Sequence, residues 1–169
     1  MQNPHPTPGS DIYAAIVKAP FGAVGIRTEA DTIRELVYLP HQFGDKPPEN
    51  ALAERTAQQL QSYFSDPDFS FTLPLAPAGT PFQRRVWQVI ADIPRGCLLT
   101  YAQLARALNT APRAVGQACG ANWFPLVIPC HRVTASGALG GFAHSADPAG
   151  FALGVKRWLL AHEGASFPQ

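Results

Sequence analysis

Cys130 and His131 stand side by side in IPCHRV (128–133), a thiol next to a base. A thiol attacks carbon as the thiolate, and a nearby base or helix N-terminus favours that form. On an extended strand neighbouring side chains point to opposite faces, so the two could not bond each other there. The pair makes chemical sense if the chain turns at Pro129–Cys130, or if a water bridges thiol and imidazole. The imidazole in turn needs an acid to orient it, and Glu163 in WLLAHEG is the one carboxylate of the last twenty residues. The other cysteines, Cys97 and Cys119, bring the total to an odd number with no CxxC pair. That argues against a disulfide framework and a cysteine-rich structural zinc site. Most Cys-His dipeptides are inert, so the surrounding elements must decide between a buried thiol and a nucleophile.

The chain has 169 residues, 46% apolar and 15% charged, enough for one large domain or two small ones with a core. No run has the length of a membrane span, and residues 1–10 lack the basic and apolar regions of a signal peptide, so a cytoplasmic location is expected. The net charge of +1 hides a split: five Lys/Arg against nine Asp/Glu in residues 1–79, eight against three in 80–169. A basic C-terminal half is a weak footprint of a nucleic-acid partner, though solvated surfaces often produce the same asymmetry.

Three strand-length apolar runs, IYAAIVKAP, GAVGIRTEA and TIRELVYLP, read as an antiparallel meander. ALAERTAQQLQSYFSD follows as a helix with Leu52, Leu60, Tyr63 and Phe64 inward, and the proline-rich stretch 67–79 reads as a linker. This half carries no cysteine, and His5 and His41 lack metal-ligand spacing, so it reads as a structural domain. In TPFQRRVWQVIADIP, Thr80 is the expected N-cap, Pro81 suits the first helical position and Gln83 completes a capping box; Phe82, Val86, Trp87 and Ile90 form its core stripe. TYAQLARALN repeats the box at Thr100 and Gln103, with Leu104, Ala107 and Leu108 expected inward. PRAVGQACGAN resumes as a second short helix, so the two read either as plain helical packing or as a helix-turn-helix. The second helix is built of small residues, with only Arg113 and Gln117 long enough to reach base edges. Such a helix suits close packing against a neighbour, or insertion into a minor groove, where readout is degenerate. FPLVIPC reads as a buried strand ending at Cys130.

GTPFQRRVWQVIADIPRG, TYAQLA, PRAVGQACGAN, VIPCHRV and KRWLLAHEG together resemble the O6-alkylguanine-DNA alkyltransferase family, in its order and nearly its spacing, over residues 79–164. The resemblance implies an α+β fold in two domains. Residues 1–78 would form a small RNase H-like antiparallel sheet with a helix, and residues 79–169 a winged helix-turn-helix-like domain carrying the active cysteine. It implies repair of O6-alkylguanine in duplex DNA after minor-groove binding and nucleotide flipping, with one irreversible transfer per molecule. Cys130 would be the alkyl acceptor and His131 the base that deprotonates it through a water. Glu163 would orient that histidine, and Asn122 would brace the turn beside the site. Arg113 would fill the hole left by the flipped nucleotide, Tyr101 would crowd the neighbouring phosphate, and the Val133 carbonyl would contact the guanine. No cofactor, metal, membrane or obligate protein partner is implied; O4-alkylthymine as a second substrate and self-association on DNA stay open.

The chain departs from the family pattern in places. Phe142-Ala143 stands where a tyrosine and a serine or alanine are usual, so the ring can cover the base without bonding it. The loop from there to Lys156 is longer than usual by about seven residues. GFA occurs at both 141–143 and 150–152, so Phe142 and Phe151 compete for the covering role, with Phe142 better spaced from Cys130. Trp123 replaces a common proline. Cys119 matches a position that often lines the pocket, and reads first as a small buried group. Two rival functions remain: a cysteine hydrolase using Cys130, His131 and Glu163, which would turn over without DNA, and a non-catalytic damage sensor. Sensor relatives replace the acceptor cysteine, which this chain keeps.

Overall fold

The computed structural model describes residues 9–143, 145–147 and 149–165, so His5 and the loop residues His144 and Pro148 lie outside the described residues. The chain forms two compact units, Met1–Ala76 and Pro77–Gln169, and the fold is α+β. Among the described residues no helix is long and apolar enough to cross a membrane.

In the first unit, β1 (Ala15–Ala19), β2 (Gly22–Glu29) and β3 (Thr32–Leu39) form an antiparallel meander in that order. Every β1 residue except Lys18 is buried, which explains its continuous rather than alternating apolar pattern. Gly22 closes the first turn at φ 146°, where a Cβ would lie 2.3 Å from the Leu39 carbonyl oxygen; only glycine fits. Helix α1 (Ala51–Ser65) packs on β1 and β2, capped by Asn50, whose Oδ1 accepts from the Ala53 amide at 2.8 Å. It turns Ala53, Thr56, Leu60 and Tyr63 inward, while Leu52 and Phe64 are half-buried. The proline-rich stretch meets the sheet at one parallel bridge, Ile33 to Leu75.

The second unit comprises α2 (Pro81–Ala91), β4 (Leu99–Thr100), α3 (Tyr101–Leu108), α4 (Pro112–Gly120), β5 (Val133–Thr134) and α5 (Phe151–His162). Both expected capping boxes form, Thr80 with Gln83 and Thr100 with Gln103. Helix α2 buries Val86, Trp87 and Ile90, each contributing about 1.5–3 kcal/mol, with Phe82 half-buried. The Trp87 indole N–H donates to the Ala118 carbonyl at 2.8 Å, which fastens α2 to α4. On α3 the inward face is Leu104, Ala105 and Leu108; Ala107, expected inward, is exposed. On a helical wheel 105 and 107 flank the 104/108 line on opposite sides, and the packed side is that of Ala105.

The expected strand FPLVIPC is a turn instead. The Ile128 amide donates to the Phe124 carbonyl at 2.9 Å, with Leu126 at φ 76° between them. Pro125 and Pro129 have no N–H to give a ladder, so the run cannot pair as a central strand. Pro129 lies at φ −82°, ψ 66°, and the Cys130 amide donates to the Ile128 carbonyl at 2.8 Å, which is an inverse γ-turn. Cys130–Arg132 continues as a single 3-10 turn. The chain therefore does turn at Pro129–Cys130.

Candidate active site

Cys130 is buried at 4% exposure, yet its side chain forms part of the wall of a pocket of about 480 Å³. Asn122, just past α4, holds this turn from outside. Its Nδ2 donates to the Ile128 carbonyl at 2.8 Å and to Cys130 Sγ at 3.3 Å, while its Oδ1 accepts from the Phe124 amide at 2.9 Å. Directly after the turn, β5 pairs in parallel with β4, Val133 opposite Leu99 and Thr134 opposite Thr100. Thr100 also caps α3, so the start of that helix, Tyr101, is registered to the cysteine turn.

His131 and Glu163 are both fully buried and meet at 2.9 Å, Nε2 to Oε2. Burial is the main influence on His131 and keeps its pKa below the usual value, against the pull of Glu163. A neutral imidazole facing an ionised carboxylate must carry its proton on Nε2, which leaves Nδ1 as a bare acceptor. Nδ1 is buried and has no hydrogen-bond partner among the described residues. Arg132 completes the cluster: its Nε and Nη2 bind the two Glu163 oxygens at 3.0 and 2.9 Å, and its Nη1 donates to the Ile93 carbonyl at 2.6 Å. This bidentate pair holds the carboxylate in place and supplies the countercharge that the neutral histidine does not.

The pocket wall also includes Tyr101, Arg113, Gly116, Cys119, Phe142 and Ala143. Arg113 is exposed at the second residue of α4, beside the mouth. Phe142 is buried, and exchanges two 2.8 Å backbone hydrogen bonds with Ser145, closing a tight loop with Ala143 at φ 49°. Gly141 permits this closure, since a Cβ there would sit 2.9 Å from the Ser145 carbonyl oxygen. Phe151 is 39% exposed at the start of α5, and the pocket wall is formed by Phe142 instead.

Lys156 and Arg132 were not singled out by the sequence reasoning. Lys156 is fully buried beneath the pocket, its Nζ donating to the Val133 carbonyl at 2.7 Å and the Gly141 carbonyl at 3.0 Å. It lies 5.8 and 5.7 Å from the Tyr101 and Phe142 ring centres. The Tyr101 hydroxyl donates to the same Gly141 carbonyl at 3.1 Å. Desolvation lowers the Lys156 pKa to about 8, with the two nearby cysteines pulling the other way. A signal existed: Lys156 falls on the Leu153–Leu159–Leu160 stripe of α5, a charge on an inward face. Arg132 sat in view inside PCHRV.

Neighbours were expected to lower the Cys130 pKa, and the balance runs the other way. The neighbouring Cys119 side chain, which favours the protonated Cys130, and then burial push it well up, outweighing Asn122 and Lys156, which favour the thiolate. Cys130 is thus a protonated thiol at rest, and needs a base at the moment of attack. Tyr101 is likewise pushed up by burial, so its hydroxyl is a neutral donor.

Residues 81–165 match the family described as 6-O-methylguanine DNA methyltransferase, DNA binding domain. The constitutive methylated-DNA–protein-cysteine methyltransferase of Bacillus subtilis is 36% identical, over 93% of this chain and 98% of the relative. That of Methanosarcina mazei is 33% identical over 90% and 97%. Among solved structures, Mycobacterium tuberculosis OGT in complex with DNA superposes with a TM-score of 0.74 at 29% identity, covering 90% of this chain and 93% of that one.

Proposed function

The chain belongs to the 6-O-methylguanine DNA methyltransferase family, and from that premise we infer that it repairs DNA by moving the alkyl group of O6-alkylguanine onto its own Cys130. The observation that carries this assignment is a buried thiol opening into a pocket, next in sequence to an imidazole whose Nδ1 is bare and whose Nε2 is held by Glu163. In this reading duplex DNA is bound through its minor groove by a winged helix-turn-helix, α3 and α4, within residues 79–169. Residues 1–78 form an RNase H-like domain, and the protein works in the cytoplasm. The small residues on the pocket side of α4, Gly116 and Gly120 among them, support a close approach to the groove.

The damaged base cannot be reached inside the stack, so it is turned out, at a cost its weakened pairing reduces. Arg113 at the mouth fills the gap and Tyr101 crowds the phosphate. Phe142 covers the base, Ala143 lines its edge, and the Val133 carbonyl, already bonded to Lys156, offers its second lone pair. A water between Sγ and His131 Nδ1 takes the thiol proton to the imidazole, where Glu163 stabilises the cation formed. Sulfur attacks the alkyl carbon in line, the carbon–O6 bond breaks, and its electron pair leaves with guanine, which gains a proton. The thioether has no good leaving group, so each molecule acts once. A duplex bearing one O6-methylguanine with labelled methyl tests this. Label should stop at one methyl per protein and vanish in Cys130→Ser; binding without transfer would identify a sensor that kept its cysteine.

A further inference from the structure

His131 uses one oxygen of Glu163, and Arg132, the next residue, uses both. Its Nη2 donates to the same Oε2 that holds His131 Nε2, each contact at 2.9 Å, while its Nε donates to Oε1 at 3.0 Å. The remaining nitrogen, Nη1, donates to the Ile93 carbonyl at 2.6 Å, so the guanidinium cannot swing away without losing bonds on every side. The segment after α2 reaches Glu163 a second time, since Arg95 Nη1 donates to the Glu163 carbonyl at 3.0 Å. A carboxylate gripped at both oxygens and at its own main chain holds one orientation, and the imidazole bonded to it aims Nδ1 in one direction. We propose that Arg132 is a positioning residue of the alkyl transfer: through Glu163 it fixes the imidazole of His131 and, as a second cation on the same carboxylate, keeps that imidazole neutral until the thiol gives up its proton.

The inference rests on the proposed role of His131 as the base for Cys130. Glu163 carries one negative charge between two partners, and the guanidinium is permanently positive. An imidazolium at rest would put two cations on one buried anion, whereas a lone Glu-His pair favours the added proton. Burial does most to hold His131 neutral, and the Arg132 and Lys156 charges act in the same sense, against Glu163. The titratable groups around the imidazole are Cys130 and Arg132 on its own turn, Lys156 on α5 and Glu163 at the end of that helix. Helix α2 also packs on this turn, and its Arg84 and Arg85 and the following Asp92 are exposed. Charge and fork are separable at position 132. Lysine keeps the charge but, as a point donor, cannot span both oxygens; methionine keeps neither.

Single-turnover methyl transfer from a saturating O6-methylguanine duplex, followed from pH 5 to 9, compares the wild type with Arg132→Met, Arg132→Lys and Arg95→Ala. NMR titration of the His131 ring in the DNA-free proteins adds a readout that needs no activity. Arg132→Met should move the acid limb of the rate and the His131 titration up together by about one pH unit. Arg132→Lys should hold the limb near its wild-type place and lower the plateau about tenfold, because the carboxylate is no longer fixed at both oxygens. Arg95→Ala loosens the same segment without touching the charge, and should leave the limb in place. If Arg132→Met does not fold, Arg132→Gln, neutral but still able to donate one hydrogen bond, carries the same expectation. A role in folding alone would lower the rate evenly and move neither titration, which would overturn the inference. A lysine variant with a full plateau, or a limb displaced as far by Arg95→Ala as by Arg132→Met, would overturn it too. If the wild type transfers no methyl at all, the proposed function fails, and the His131 titration alone decides what Arg132 does.

Discussion

Lys156→Met takes a cation off the inward face of α5 and replaces it with an uncharged chain of similar length. In the wild type that ammonium is held at a pKa of about 8 instead of 10.5, a shift that represents roughly 3 kcal/mol of cost to the native state below pH 8. Methionine relieves that cost. Against the gain, the Val133 carbonyl loses its 2.7 Å donor, worth about 1–3 kcal/mol for a buried orphan, whereas Gly141 keeps the Tyr101 hydroxyl. The variant should therefore be as stable as wild type at pH 7, or more stable by up to about 2 kcal/mol. The difference depends on pH with a definite sign. Between about 8 and 10.5 the native wild type has shed a proton that the unfolded chain still holds, so wild-type stability rises there. The advantage of the variant should shrink by about 1 kcal/mol per pH unit above 8. Methyl transfer should fall below about pH 8, where the wild type still carries this cation favouring the Cys130 thiolate, and the loss should narrow above it. Urea unfolding at pH 7, 8, 9 and 10 measures the first quantity and single-turnover transfer the second. A variant less stable than wild type by more than about 3 kcal/mol at pH 7, or a difference flat from pH 8 to 10, would refute the reasoning.

Glu163→Gln leaves the Arg132 guanidinium with half a partner in a buried site, and should cost about 3–5 kcal/mol in urea unfolding along with most of the transfer rate. His131 is held neutral by burial, so the unfolded chain takes up its proton first on acidification. Wild-type stability should fall as pH drops below about 6.5, and His131→Gln should flatten that slope. Methylated Cys130 adds bulk at a buried sulfur and loses a thiol donor, so the reacted protein should melt at a lower temperature than the unreacted one; a higher melting temperature contradicts this.

Local signals carried most of what could be read in the sequence. The boxes Thr80/Gln83 and Thr100/Gln103 are four-residue patterns with their own hydrogen bonds, and both helices begin where those patterns say. The three strands of the first unit were visible because turns of glycine, proline or acidic residues separate apolar runs. FPLVIPC misled because apolar content cannot distinguish a strand from a turn that is buried; its two prolines were the signal that should have won. Ala107 and Ala105 are indistinguishable by type, and only the side on which the neighbouring helix packs separates them. In the site, Cys130, His131 and Asn122 lie within one short stretch and were legible together. Lys156, twenty-six residues beyond Cys130, is tied to the pocket by two backbone carbonyls that no side-chain pattern reveals.

The two residue pairs of β4 and β5 act as a splint. Leu99–Val133 and Thr100–Thr134 set the separation of the Tyr101 and Cys130 main chains, and the Gly141 carbonyl fixes the phenol from the other side. Length can therefore be added between Ser145 and Gly150, past the Gly141 carbonyl, without moving the reacting sulfur relative to the phenol. The segment closes on itself through the Phe142–Ser145 and Asp147–Gly150 hydrogen bonds. Libraries varying the length of this segment would reshape one wall of the pocket while the reacting centre kept its frame, which makes it the place to evolve new substrate range.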